Sequence, residues 1–230
     1  MELSKVICFV QKTPLFFLLL KEYIFYKKTI IERNRIVKKI KTILKTVLSV
    51  KQTNSFIKQL NILKDKLNED ALFAYKNDPS FHSLEETIIT SPGLFAILVY
   101  RVANSLYLSD VKIIPRLLSE YAHSKTGIDI NPEAEIGRNF FIDHGTGVVI
   151  GATTFIGNNV KLYHGVTLGA KSLKNANELK NKKRHPTILS DVTIYSNSTV
   201  LGGDTVVGEG CIIGTNKIIT ESIPSGTKVI

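Results

Sequence analysis

The stretch Val149-Ile150-Gly151-Ala152-Thr153-Thr154-Phe155-Ile156-Gly157-Asn158-Asn159-Val160-Lys161-Leu162 decides the fold. An aliphatic residue stands at every sixth position, Ile150, Ile156 and Leu162, and glycine follows the first two. The same period reads backward through Ile142, Ile136 and Ile130. It reads forward through Leu168, then Ile188 and Ile194, then Leu201, Val207, Ile213 and Ile219. Four residues after the aliphatic comes a second slot of small or β-branched residues: Ala134, Thr154, Val160, Val166, Val192, Ser198, Thr205 and Cys211. A six-residue repeat predicts a parallel β-helix, left-handed in known proteins. Each hexapeptide makes a short strand and a corner, three make one triangular coil, and the aliphatics of successive coils stack inward. Cys211 falls in a small inward slot and reads as a core thiol.

Before Lys125 the pattern is helical. Val37, Ile40, Leu44 and Val47 recur at spacings of three and four, and the pattern runs from residue 15 to 76. A second helical stretch, Ser83 to Leu108, is interrupted at Ser91-Pro92-Gly93 and should form two helices. The predicted class is therefore α+β. Residues 1–126 form an N-terminal α-helical domain, and residues 127–230 form a left-handed β-helix with an excursion loop at about 170–186.

The chain of 230 residues has a net charge of +10, which invites a nucleic-acid reading. Residues 1–51, however, hold twelve Lys/Arg against Glu2, Glu22 and Glu32, a net of +9, and leave +1 for the rest. A charge run of this kind most simply solvates a helix face, so neither nucleic acid nor a membrane surface is expected as a partner. The apolar stretch Val6–Leu20 is broken by Lys12 and Pro14 and falls short of the ~20 residues a membrane span needs. No small-residue cleavage site follows Leu20, and Cys8 and Cys211 are too few for a disulfide framework. These signals place the protein in the cytoplasm.

The repeat breaks three times, by intervals of eight, twenty and seven residues, and breaks in a solenoid are where function is added. The first break inserts Asp143-His144-Gly145-Thr146-Gly147. If Ile150 stacks on Ile130, Asp129 and His144 share a corner in adjacent coils ~4.8 Å apart, and an Asp orienting a His makes a general base. The second break carries Lys171, Lys174, Lys180, Lys182 and Lys183 and ends in Arg184-His185-Pro186. Arg184 offers a fork for a carboxylate, and the lysines suit phosphates. His144, His164 and His185 lie about one coil apart but lack a metal-ligand pattern, so no metal is expected.

These residues resemble the serine O-acetyltransferase family, over about Asp78 to Pro224. The resemblance rests on Asp78-Pro79, Ser91-Pro92-Gly93 with Tyr100-Arg101, and Gly127-Ile128-Asp129-Ile130-Asn131-Pro132. It continues through Asp143-His144-Gly145-Thr146-Gly147, Gly165-Val166-Thr167-Leu168-Gly169 and Arg184-His185-Pro186. It implies acetyl transfer from acetyl-CoA to the hydroxyl of L-serine by direct attack. His144 would be the general base and Asp129 its dyad partner. Asp78 and Asp143 would hold the substrate amino group, and Arg184 and His185 its carboxylate. CoA would lie along the coils near Gly169, Ala170, Ser196 and Thr215, between neighbouring β-helices of a homotrimer or a dimer of trimers.

L-cysteine feedback is a family property. The family's complex with O-acetylserine sulfhydrylase uses a long tail ending in Ile. Here only eleven residues follow Ile219, which speaks against that complex. Ala152 stands where many relatives carry Glu, and Phe95 where some carry His. Two other readings remain open, a hexapeptide acyltransferase with another acceptor and an inactive β-helix scaffold.

Overall fold

A computed structural model describes residues 2–172, 174 and 182–230. Six helices come first: α1 (Leu3–Phe25), α2 (Ile30–Leu44), α3 (Val50–Asn77), α4 (Leu84–Thr90), α5 (Pro92–Leu108) and α6 (Ile114–Thr126). Local chemistry sets their limits. Capping boxes open α2 (Thr29 with Glu32) and α3 (Ser49 with Gln52), and Ser91 caps α5 with Pro92 at its first turn. The break expected at Ser91-Pro92-Gly93 is thus the α4–α5 junction. Gly127, in the left-handed region at φ 70°, ends α6.

α1 begins well before residue 15 and passes through Pro14. By length and composition it could cross a membrane, with a third of its apolar window buried. Tertiary packing explains why the proline does not end it. Phe9, Phe16, Phe17 and Leu20 sit in the core, and Phe17 stacks on Tyr121 of α6 with ring centroids 5.9 Å apart.

Among the described residues fourteen short strands follow: β1 (Asp129–Ile130), β2 (Glu135–Ile136), β3 (Phe141–Asp143), β4 (Val149–Ile150), β5 (Phe155–Ile156), β6 (Lys161–Tyr163), β7 (Thr167–Gly169), β8 (Thr187–Ile188), β9 (Thr193–Ile194), β10 (Thr199–Leu201), β11 (Val206–Val207), β12 (Ile212–Ile213), β13 (Ile218–Ile219) and β14 (Lys228–Val229). They form three parallel sheets: β1-β4-β7-β10-β13 (first), β2-β5-β8-β11 (second) and β3-β6-β9-β12-β14 (third). The chain visits the sheets in turn, so the solenoid is a triangular prism. Its three edges are named here by the sheets they join.

The register matches the six-residue stacking except at one place. Ile130, Ile150 and Leu168 stack as expected, but the next residue in the column is Val200, not Leu201. Val200 is fully buried, and Leu201 is half-buried beside Gly169. The seven-residue interval therefore lies between Val200 and Val207, around Gly202-Gly203, rather than before Leu201. All eight second-slot residues are buried, Cys211 among them.

The helices close the first coil, whose lower carbonyls no strand can pair. Ser119 Oγ donates to Ile130 O, Asn104 Nδ2 to Pro132 O (2.9 Å) and Tyr100 Oη to Ala134 O (2.6 Å). Arg101 Nη1 reaches Ile136 O (3.3 Å) and Nη2 reaches Gly137 O (2.7 Å). Side chains of α5 and α6 thus complete a sheet edge that would otherwise be open. This fixes the helices relative to β3, which leads into Asp143 and His144.

Candidate active site

The expected site residues fall on two different edges of the prism. The third–first edge carries His144, in the insertion between β3 and β4. The insertion is a tight turn, with His144 at φ 56°, Gly145 at 89° and Gly147 at 79°. It presents the His144 side chain three-quarters exposed. Its Nε2 lies 3.7 Å from Asp143 Oδ1, and its ring meets His164, one coil further along, edge to face at 5.8 Å.

Asp143 is largely covered, and its strand pairs with β6 so that Asp143 faces Tyr163. Burial first, then Tyr195, Asp143 and Asp78, push the Tyr163 phenol up. The two carboxylates expected to hold an amino group therefore share one neighbourhood. Asp78 ends α3, where its Oδ1 accepts from Ser80 N (2.9 Å) and Oγ (2.6 Å). The adjacent Asn77 is tied to β6, Lys161 Nζ donating to its Oδ1 at 3.2 Å.

Asp129 stands on the outer face of β1, beside Val149 in the next coil. The structure does not bring its carboxylate into hydrogen-bond contact with His144, and Asp143 is the carboxylate that faces the ring.

The first–second edge carries Arg184 and His185, which lead into β8. His185 is buried. Its Nδ1 receives Thr153 N–H (3.0 Å) and lies 2.9 Å from Thr153 Oγ1, while the N–H groups of Arg184 (2.9 Å) and His185 (3.0 Å) donate to that same Oγ1. Burial, then the charges of Arg184 and Lys183, push the His185 imidazole down to about 4. Glycine makes room on both sides. A Cβ on Gly151 would lie 2.1 Å from His185 Cδ2, and one on Gly203 would lie 2.3 Å from Lys183 O. The extra residue at Gly202-Gly203 is where the returning chain packs.

Of the excursion lysines, Lys171 pairs with Asp204 (3.1 Å) and Lys183 donates to Thr153 O (2.5 Å) and Pro186 O (3.3 Å). Lys174 and Lys182 are exposed, and Lys180 lies outside the described residues. The positions expected along CoA divide in the same way as the catalytic ones. Gly169 and Ala170 leave the first sheet at the first–second edge. Ser196 and Thr215 lie on the third–first edge in successive coils, linked by Asn216 N to Ser196 O (3.0 Å). Sequence reasoning missed Thr153 and weighed His164 only as a metal ligand. Thr153 had one visible signal: it stands three residues before inward Ile156, as His185 stands three before Ile188.

No protein-family model matches the chain. It is 45% identical over 143 residues to a plasmid serine acetyltransferase of Synechococcus elongatus, across 61% of this chain and 45% of that protein. It is 38% identical over 165 residues to the serine acetyltransferase of Staphylococcus epidermidis, across 72% and 74% of the two chains. The matches span about half the length of the first of these relatives and of similar Bacillus proteins. Among solved structures, serine acetyltransferase 1 of Entamoeba histolytica in complex with L-cysteine superposes with a TM-score of 0.85 at 33% identity. It covers 92% of this chain and 84% of that one.

Proposed function

The chain belongs to the serine acetyltransferase family, and from that premise we propose that it transfers acetyl from acetyl-CoA to the hydroxyl of L-serine, giving O-acetyl-L-serine and CoA. The observation that carries this reading is the division of the site. One edge offers carboxylates beside an exposed imidazole, and the other offers an arginine beside a neutral imidazole. That set is complementary to a zwitterion bearing a hydroxyl.

In the reaction, His144 takes the proton of the serine hydroxyl as its oxygen attacks the thioester carbonyl. The tetrahedral intermediate collapses, the C–S bond breaks, and the imidazolium returns the proton to the CoA sulfur. Asp78 and Asp143 hold the ammonium, and Arg184 and His185 the carboxylate. Asp143, and Asp129 after rotation of the exposed His144 ring, steady the imidazolium that forms.

The two edges bound the same face, the first sheet. Its outward positions are Val149, Thr167, Thr199 and Ile218, with Asp129 at the end. Three copies packed through that face set the third–first edge of one against the first–second edge of the next. A homotrimer therefore completes three sites with shared residues, and acetyl-CoA lies in the same seam, near Ser196 and Thr215 of one copy and Gly169 and Ala170 of another. The helices of residues 1–126 serve assembly, and the unpaired Cys8 and Cys211 suit the cytoplasm. L-cysteine, which shares the zwitterion of serine, competes for the same groups, as its presence in the Entamoeba complex supports.

The test is thiol release from acetyl-CoA, followed colorimetrically with purified protein and L-serine. No release with L-serine overturns the assignment, and release with a sugar or another amino acid replaces the acceptor.

A further inference from the structure

Glu133, Thr153, His185 and Asp204 each precede an inward aliphatic by three residues (Ile136, Ile156, Ile188, Val207), so they occupy one slot in successive coils of the first–second edge. Only between Thr153 and His185 does this slot hold a dense set of hydrogen bonds. The Thr153 hydroxyl oxygen accepts two N–H groups, from Arg184 and His185. Its own proton is then directed at the remaining neighbour, His185 Nδ1 at 2.9 Å. The Thr153 N–H points at the same nitrogen from 3.0 Å. A ring nitrogen that receives two donors carries no proton, so the proton of the neutral imidazole resides on Nε2. The ring packs against Gly151, where no side chain can displace it.

We propose that Thr153 is a positioning residue for the acceptor amino acid: its N–H and hydroxyl together fix His185 as the Nε2–H tautomer, and the hydroxyl clamps the Arg184-His185 turn, so that His185 presents one fixed donor. The proposal rests on the acetyl-transfer reading for its kinetic consequence but not for its tautomer. The charged and titratable groups around the ring are Arg184 and Lys183 from its own segment. Thr153 and Gly151 supply the facing contacts of the neighbouring coil, and neither titrates. Burial and the two cations keep the ring neutral across neutral pH, the clamp sets which nitrogen donates, and the cationic part of carboxylate binding is left to Arg184.

The experiment compares wild type, Thr153→Val and Thr153→Ser. Val keeps the shape and the backbone N–H that faces Nδ1, but its side chain neither accepts the two N–H groups nor donates to Nδ1. Ser restores both functions. The expected result for Thr153→Val is a rise in the KM for L-serine of about tenfold, with the KM for acetyl-CoA within about twofold, and Thr153→Ser near wild type. In parallel, nitrogen-15 NMR of histidine-labelled protein reports which His185 nitrogen is protonated. Wild type and Thr153→Ser should show Nε2–H, and Thr153→Val, whose ring is held by the backbone N–H alone, an added fraction of Nδ1–H.

An unchanged KM for L-serine in Thr153→Val overturns the proposal. So does a Thr153→Ser variant as impaired as Thr153→Val, or an Nδ1–H tautomer in wild type. If wild type fails to acetylate L-serine, the functional reading falls, while the NMR comparison still decides the tautomer.

Discussion

Arg101 grips Asp70 with two parallel hydrogen bonds, Nε to Oδ2 at 2.5 Å and Nη2 to Oδ1 at 2.9 Å, and both side chains are sealed from water. The same Asp70 oxygen that receives Nη2 also accepts Phe140 N–H (3.0 Å). The pair joins α3 and α5 to the first coil, since Arg101 also holds two carbonyls there. Removing one partner leaves a buried charge without its counterion. Asp70→Asn is expected to cost about 3 kcal/mol of unfolding free energy. Asp70→Asn with Arg101→Met should cost less than the sum of the two single changes. Denaturant titration of the four proteins measures both.

His144 is exposed, so its replacement should leave the fold intact. His144→Ala is expected to lower kcat by about two to four orders of magnitude with little change in melting temperature. Steady-state kinetics beside circular dichroism checks this, and full activity in the variant would remove His144 from the mechanism.

The proposed sharing of sites between copies can be tested by mixing. His144→Ala and Arg184→Ala are each expected to inactivate the proposed trimer when alone. In trimers reassembled from an equal mixture, about one site in four pairs an intact third–first edge with an intact first–second edge. Activity should rise from near zero to about a quarter of wild type. A mixture as inactive as its parents would place both groups in the same chain's site.

Stability should fall in mild acid. His185 binds a proton at about 4 when folded and at ~6.5 when unfolded, so the unfolded chain takes up more protons between these values. Stability present at pH 7 is therefore lost as the pH drops from about 6.5 toward 4, by something of the order of 2 kcal/mol once the water that reaches the site is allowed for. In His185→Gln that part of the pH dependence should disappear. Urea titrations at a series of pH values give the comparison.

Gly151→Ala would drive a methyl group into the His185 ring, since the nearest ring carbon lies 2.1 Å from where the Cβ must sit. The ring has to swing out of the Thr153 clamp. The expected outcome is a KM for L-serine raised about tenfold with the KM for acetyl-CoA preserved.

The solenoid was legible because inward aliphatics at a fixed period have no other simple explanation. The register at one coil was not, and a rule that would have set it was present. The residue three before the inward aliphatic adopts positive φ along two edges. On the third–first edge it is Gly127, Gly147, Gly165, Asn197 and Asn216. On the second–third edge it is Asn139, Asn159, Asp191, Gly210 and Gly226. Only glycine, asparagine and aspartate take that conformation cheaply. Leu201 as the inward residue would put Ser198 in this slot, whereas Val200 puts Asn197 there.

His144, Asp143, Arg184 and His185 stood out because they sit in interruptions of the repeat. Thr153 did not, because a threonine on a β-helix corner looks like any other. Asp70 was hidden for a related reason. A carboxylate in a polar-rich helix reads as solvent-facing until the partner arriving from α5 is known. The separation of the two halves onto different edges needed three dimensions, because distance along the chain does not encode which corner a loop leaves from.

Leu168 and Ile188 are consecutive members of the repeat, yet fourteen residues beyond the usual six separate them. Neither loses its place: Leu168 stacks between Ile150 and Val200, and Ile188 between Ile156 and Val207. Cohesion here runs across coils rather than along the chain, so each column keeps its register whatever length of chain joins it to the next. A change in the number of residues joining the two columns is therefore expected to leave the stacking of Leu168 and Ile188 in place. At one end Lys171 pairs with Asp204, and at the other Lys183 to His185 are hydrogen-bonded to Thr153. Column stacking and the length of the connection between columns are separable traits in this architecture, and selection or an engineer can alter the second without renegotiating the first.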